Sequence, residues 1–323
     1  MRLDTAFDEF FAAIVLGSLP EGRIKSAYDR LFNYLTSNLP LGSRVFAQGS
    51  IPNRTAVKPP DRFGEYDLDV VAVYVAPGVS AEAALDGLEK LLALDSDYAR
   101  RIEHKAPCVR LRYADDEEGK FRIDITPARQ LKTGVLEIPR RGEGWHESNP
   151  EGYTRWCLSQ GEQFSRTIRY LKRWRDVSQG QRQGIKSIVL QVLTAQYYLM
   201  NGGDAETVVR AFQGIDQYLS ASPNSAPEVC NPVLANENLT ARWSNDQYRG
   251  FLRHLGIARR LAESALNEPD ETKSYSLWQQ LFGKDFPSAP RRSTPSLPVV
   301  PPVPPPPDFG SHPQRAPRRE RYG

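Results

Sequence analysis

Two short apolar stretches of this chain carry carboxylates where a buried strand would ordinarily carry none. In Glu65-Tyr66-Asp67-Leu68-Asp69 the aspartates lead into Leu68–Val75, a run β-branched enough to predict a strand. In Phe121-Arg122-Ile123-Asp124 a third aspartate interrupts the strand predicted over Phe121–Thr126. Alternate strand positions face the same way, so Asp67 and Asp69 present two carboxylates on one face at the strand entrance. Asp124 joins them if the two strands are neighbours. Three clustered carboxylates repel one another unless cations neutralise them. Hard oxygen ligands suit Mg²⁺, which binds through few carboxylates together with substrate phosphates. Two such ions can clamp the attacking and leaving oxygens of an in-line displacement at phosphorus.

Gly49-Ser50, at the end of a short predicted strand Arg44–Gln48, supplies the complementary half. Glycine lets the backbone approach a phosphate, and the serine hydroxyl with nearby amides can bond phosphate oxygens. No Gly-x-x-x-x-Gly-Lys-[Ser/Thr] element is present, which excludes a P-loop enzyme. An isolated Asp-x-Asp at a strand edge is common, and Gly-Ser more so. The order of the pieces, joined to Ile-Asp-Ile about fifty residues later, gives the pattern its specificity.

Around these strands the chain reads as α+β. Residues 4–38 are helical, broken near Gly17-Ser18-Leu19-Pro20, and 80–94 form an amphipathic helix. Cys108–Tyr113 is a further strand, with the acidic loop Ala114–Gly119 turning after it. From Tyr153 onward helices dominate: Phe164–Asp176, Lys186–Leu199, Asp204–Ser220, then, past a loop rich in Pro and Asn, 245–267 and 273–282. From Pro287 the chain is Pro- and Arg-rich with almost no large apolar side chains, and is expected to be disordered or partly polyproline II. The expected division is 1–152, 153–286 and 287–323.

The net charge of +3 is misleading, because the six arginines of 287–323 face only Asp308 and Glu320. The remainder is nearly neutral, which argues against a general nucleic-acid coat and makes any grip on phosphates local. Cys108, Cys157 and Cys230 are odd in number and far apart, suggesting neither a disulfide framework nor a zinc site. His104 and Cys108 add no metal site. No signal peptide is read at the N-terminus, where Asp4, Asp8 and Glu9 interrupt the apolar character, and a cytoplasmic location is expected.

Phe46-x-Gln48-Gly49-Ser50, Thr55-x-Val57-x-Pro59, Tyr66-Asp67-Leu68-Asp69-Val70-Val71 and Ile123-Asp124-Ile125-Thr126-Pro127-Ala128 together resemble the bacterial CD-NTases. These are relatives of cyclic GMP–AMP synthase and oligoadenylate synthetase found in CBASS anti-phage operons. Trp145, Ser148-Asn149-Pro150, Leu171-Lys172-Arg173-Trp174 and Phe282-Gly283-Lys284-Asp285-Phe286 extend the resemblance to all but the tail. The resemblance implies a polymerase-β-like nucleotidyltransferase core, a mixed sheet with helices braced by an N-terminal spine helix and closed by a helical lobe. It implies that Asp67 and Asp69 bind two Mg²⁺ ions, or Mn²⁺, and that Asp124 completes the metal activating an acceptor 3′-hydroxyl. Gly49, Ser50, Lys172 and Ser187 would contact the nucleotide triphosphate, ATP or another NTP. The product would be a cyclic di- or trinucleotide that activates a separate effector. Linear, template-independent transfer to RNA, tRNA or protein uses the same triad, and a degenerate scaffold working through its tail is the non-enzymatic alternative.

In the helical half, Arg166, Arg169 and Arg173 fall near one flank of the Phe164–Asp176 helix, and the plain expectation is a solvated basic face. Lys172 departs from that expectation only through the resemblance. Ile188 stands where several relatives carry a base-stacking aromatic residue. Asn53, Arg54 and Thr55 are expected over the site, Trp145 and His146 in the cleft or core, and Tyr197, Tyr198 and the Phe/Leu stripe of 251–261 in the core. The tail, ending Arg321-Tyr322-Gly323, reads as an inert linker, a ligand for a proline-binding groove, or a handle whose Gly323 carboxylate an E1–E2-like partner conjugates.

Overall fold

The computed structural model describes residues 1–61, 64–115, 119–177 and 185–290. The tail with Gly323, and Asp116–Glu118 of the acidic loop, lie outside these residues. Two helices open the chain, α1 (Asp4–Ile14) and α2 (Ser18–Asn38), broken where expected. Then come β1 (Arg44–Gln48), β2 (Glu65–Val73), α3 (Ala81–Ala93), the single turn α4 (Ser96–Ala99), β3 (Ile102–His104), β4 (Val109–Arg112) and β5 (Lys120–Gln130). The Ser80 side chain caps α3 by accepting from the Ala83 amide, which fixes where that helix starts. A hairpin, β6 (Leu136–Arg140) and β7 (Gly144–Ser148), closes the sheet-forming half.

The sheet is mixed, as expected: the order is β1-β2-β5-β4-β3, with β6 paired to the far end of β5 and β7 to β6. Only β2 and β5 run parallel; the other pairs are antiparallel. β2 starts at Glu65, earlier than the apolar run suggested, because Glu65-Tyr66-Asp67 pair in register with Lys120-Phe121-Arg122. Tyr66 stacks on Phe121 at 5.2 Å, a contact that holds this end of the ladder. The aspartates therefore lie inside the strand, not at its entrance.

The second half is helical: α5 (Pro150–Ser159), α6 (Glu162–Val177), α7 (Ser187–Tyr197) and α8 (Asp204–Ser220), then α9 (Asn245–Asn267) and α10 (Glu271–Phe282). Asn149 caps α5 by accepting from the Gly152 amide, with Pro150 in the first turn. The Pro/Asn-rich segment expected as loop contains a small hairpin, β8 (Cys230–Asn231) with β9 (Leu234–Asn238). No described helix is long and apolar enough to cross a membrane.

Residues 1–289 form one unit built around two main cores. Under the sheet, Leu31 and Leu35 of α2 pack with Leu68, Val70, Leu88, Leu92, Ile123 and Ile125. In the helical lobe, Phe7 and Phe10 of α1 pack with Tyr170, Leu171, Trp278, Phe282 and Phe286. Phe7 meets Trp278 edge-on at 5.0 Å and Tyr170 edge-on at 5.5 Å. The N-terminal region is thus divided, with α2 bracing the sheet and α1 fastened to the lobe. Phe251 and Leu255 are core, as the stripe predicted, and Tyr197 and Tyr198 pack half-buried against it.

Candidate active site

The parallel register sets Asp69 directly opposite Asp124, and Asp67 two positions earlier opposite Arg122. Paired positions share a face, as do positions i and i+2, so all three carboxylates lie on one side of the sheet. Their crowding is visible in their acidities. Burial, followed by the neighbouring Asp67 and Asp124 charges, pushes the Asp69 carboxyl up to about 8. Asp67 is raised for the same reasons, burial first and then Asp124. A carboxylate cluster that resists ionisation in isolation fits a dication, whose charge would reverse the penalty. The third member is differently placed. Arg110, directly opposite on β4, donates Nε to Asp124 Oδ1 at 2.7 Å and Nη2 to Oδ2 at 2.8 Å. Arg122 donates to Asp67 Oδ2 at 3.1 Å and also pairs with Glu65. Among the described residues no group of three His, Cys, Asp or Glu side chains is gathered as a ready ligand cage.

β1 pairs with β2 on the other side, and delivers Gln48 opposite Asp69. The chain then turns at Gly49, whose φ of +79° only glycine adopts without strain. A Cβ there would also lie 2.3 Å from Asp69 Oδ2. Glycine is required on both counts. The turn continues with the Asn53 amide donating to Gly49 O and the Thr55 amide to Ser50 O. Ser50 is thereby held beside the carboxylates.

A cavity of about 1110 Å³ opens over this face. Gly49, Ser50, Asp67, Asp69, Lys172 and Ser187 all line it, so these six sequence-predicted residues share one cavity. Asp124 is not among the lining residues; it is in register with Asp69 and accepts from Arg110. Asn53 and His146 also line the cavity, and so does Ile188. Trp145 packs instead, donating its indole N–H to Val79 O at 2.9 Å and lying under the Arg129 guanidinium. Other lining residues were not read from the sequence, among them Gln191, Asn236 and Glu237. Gln191 lines the cavity, donating to Thr55 Oγ1 and accepting from Tyr153. The β8–β9 hairpin contributes Asn236 and Glu237.

Lys172 Nζ is buried and donates to Thr55 O at 2.8 Å. Burial, then the nearby Arg175, lowers its ammonium to about 8, with Asp176 and Asp67 opposing. The solvated basic face expected for α6 is absent. Arg169 donates to Ala56 O at 3.0 Å and Arg173, 1% exposed, to Lys58 O at 2.7 Å, while Arg166 pairs with Asp204. The loop after Ser50 leaves three carbonyls in need of donors, and consecutive turns of α6 supply them. Ser187 opens α7 at the cavity wall and accepts from Arg175 Nη1 at 2.9 Å. Arg54 takes a left-handed backbone, φ 55°, in the turn. His104 pairs with Glu89, and Cys108 is a buried free thiol.

Residues 1–160 match the Second Messenger Oligonucleotide or Dinucleotide Synthetase domain. The c-di-GMP synthase of Roseivirga ehrenbergii is 24% identical over 295 residues, covering 78% of this chain and 76% of that protein. A cyclic AMP-AMP-AMP synthase of an Acinetobacter species is 26% identical over 269 residues, covering 78% and 75%. Among solved structures, the Bradyrhizobium diazoefficiens CD-NTase CdnG in complex with GTP superposes with a TM-score of 0.72 at 20% identity, covering 86% of this chain and 94% of that one. Sheet order, site face and domain match agree: over residues 1–160 the chain carries a Second Messenger Oligonucleotide or Dinucleotide Synthetase domain, and its fold is that of the CD-NTase CdnG.

Proposed function

We propose that this protein joins ribonucleoside triphosphates into a cyclic di- or trinucleotide messenger, releasing pyrophosphate at each bond. The observation that carries the reading is the convergence on one cavity of two acidic strand residues, a glycine-serine turn and a buried lysine. Asp67, Asp69 and Asp124 would hold two Mg²⁺ ions, or Mn²⁺, which supply charge neutralisation and a lowered pKa for the attacking 3′-hydroxyl. The Gly49–Ser50 turn receives phosphate oxygens through backbone N–H and hydroxyl. Lys172 exchanges the Thr55 carbonyl for the triphosphate, a partner of opposite charge that strengthens the contact. Ser187 lies in the first turn of α7, where the helix dipole favours anions. Positioning and electrostatics account for most of the rate in such a site. The relatives' products, c-di-GMP and a cyclic AMP trimer, support ring closure over linear transfer.

By the family resemblance the setting is cytoplasmic anti-phage signalling within a CBASS operon, the product activating a separate effector. Conjugation through Gly323 by an E1–E2-like partner belongs to the same reading and concerns residues outside those described. Incubation with Mg²⁺ and the four NTPs tests the reaction. Small products resistant to phosphatase support it; a requirement for added RNA would establish the linear transferase instead.

A further inference from the structure

We propose that Arg110 is the resident counter-ion of Asp124, and that a divalent ion must displace it before the carboxylate can serve as a ligand. The proposal rests on the metal reading given above. Its own basis is a line of side chains across three strands, Arg110 on β4, Asp124 on β5 and Asp69 on β2, each opposite the next in register. The Arg110 fork takes both Asp124 oxygens, at 2.7 and 2.8 Å, and the two side chains are only 13% and 14% exposed. Arg122 is a weaker clamp on Asp67, because it divides its guanidinium between Asp67 and Glu65. Asp69 makes no such two-point contact among the described residues; the Arg110 charge reaches it only through space, and burial with its acidic neighbours disfavours its ionised form. Only Asp124 is thus matched one to one with an arginine.

That matching solves a problem specific to the metal-free chain. A third buried carboxylate beside Asp67 and Asp69 would add a like charge to a cluster already reluctant to ionise. A guanidinium opposite it removes the repulsion with planar, two-point geometry that lysine could not reproduce. The same pairing is an obstacle once a dication arrives. An arginine charge fixed a few ångströms from the ligand oxygens repels the ion, and it occupies one lone-pair direction on each oxygen. Arg110 is therefore a positioning residue, and assembly of the reaction centre includes its withdrawal from Asp124.

The test compares Mg²⁺ binding by the nucleotide-free wild type, Arg110→Gln, Asp124→Asn and the double variant, at about pH 9 where protons compete least with the metal. Binding is read from the rise of melting temperature with Mg²⁺ concentration. Arg110→Gln should bind Mg²⁺ roughly tenfold tighter than wild type, since a repelling charge and a competitor are both removed. In the Asp124→Asn background, where Arg110 has no carboxylate to compete for and only its repulsion remains, the same substitution should tighten binding by clearly less than tenfold, and an equal gain in both backgrounds would overturn the displacement of Arg110 from Asp124. A residue that merely supported the fold would weaken binding when lost, so equal or weaker affinity in folded Arg110→Gln overturns the proposal. Should that variant not fold, Arg110→Lys keeps the charge without the fork, and affinity between wild type and tenfold tighter is expected; wild-type affinity or weaker overturns it equally. Pyrophosphate release by the wild type, measured alongside, separates the two levels. Its absence removes the function proposed above, whereas its presence with unchanged Mg²⁺ affinity removes only the role of Arg110.

Discussion

Substituting Asp69 by Asn should stabilise the metal-free protein at alkaline pH while destroying its chemistry. The Asp69 carboxyl is raised from 3.8 to about 8 in the fold. A group with a raised carboxyl pKa binds its proton more tightly folded than unfolded, so its contribution to stability is fully present below the unfolded value of 3.8 and is lost as pH rises from there through about 8. Each unit of displacement corresponds to ~1.4 kcal/mol, which bounds the cost of the ionised site near ~6 kcal/mol above that pH. Water entering the open cavity and proton sharing with Asp67 reduce this, and we expect ~2–3 kcal/mol, or about 3–5 °C in melting temperature for a chain of this size. The assay is a pair of melting curves in EDTA at about pH 5 and pH 9. Asp69→Asn should gain on wild type between the two, its advantage being clearly larger at the higher pH than at the lower. Saturating Mg²⁺ should close the gap, because the ion repays the wild type for keeping three carboxylates together. A variant no more stable than wild type at pH 9 without metal would refute the electrostatic account of this cluster.

Gly49→Ala should abolish product formation and destabilise the fold by about 1–3 kcal/mol, through the left-handed φ and the 2.3 Å approach to Asp69, checked by turnover and denaturant melts. Lys172→Met should raise the KM for NTP roughly 10–100-fold, the equivalent of one charge-assisted hydrogen bond, with a smaller loss of stability from the unpaired Thr55 carbonyl. Arg173→Met should lower stability by about 2 kcal/mol without contacting substrate, since it strands Lys58 O and the partner Asp285; a change in KM with unchanged melting would contradict this.

The site was more legible than the framework around it. Asp67, Asp69 and Asp124 could be placed on one face because strand periodicity fixes which way a side chain points, and only the pairing of the two strands had to be assumed. The β6–β7 and β8–β9 hairpins were not read, because Trp145 and His146 or Asn236 and Glu237 offer no clean alternation over so few residues. Helix α6 was read as a helix with its apolar side inward, but its basic flank was misread for another reason. Its hydrophobic stripe is clear, yet whether Arg169 and Arg173 meet water or carbonyls depends on the loop at Ala56 and Lys58, more than a hundred residues away in sequence. Arg110 carried a signal that could have been found: an arginine on a strand beside an acidic one needs a partner, and antiparallel pairing of Val109–Arg112 with the Asp124 strand supplies it.

The central claim is that the three strand aspartates form the reaction centre for joining nucleotides. Mass spectrometry of the nucleotide products made from four NTPs and Mg²⁺, by wild type and by the Asp67→Asn, Asp69→Asn double variant, addresses it directly. The account predicts a cyclic di- or trinucleotide with stoichiometric pyrophosphate from the wild type, and neither from a double variant that remains folded. The same product from the double variant would contradict it.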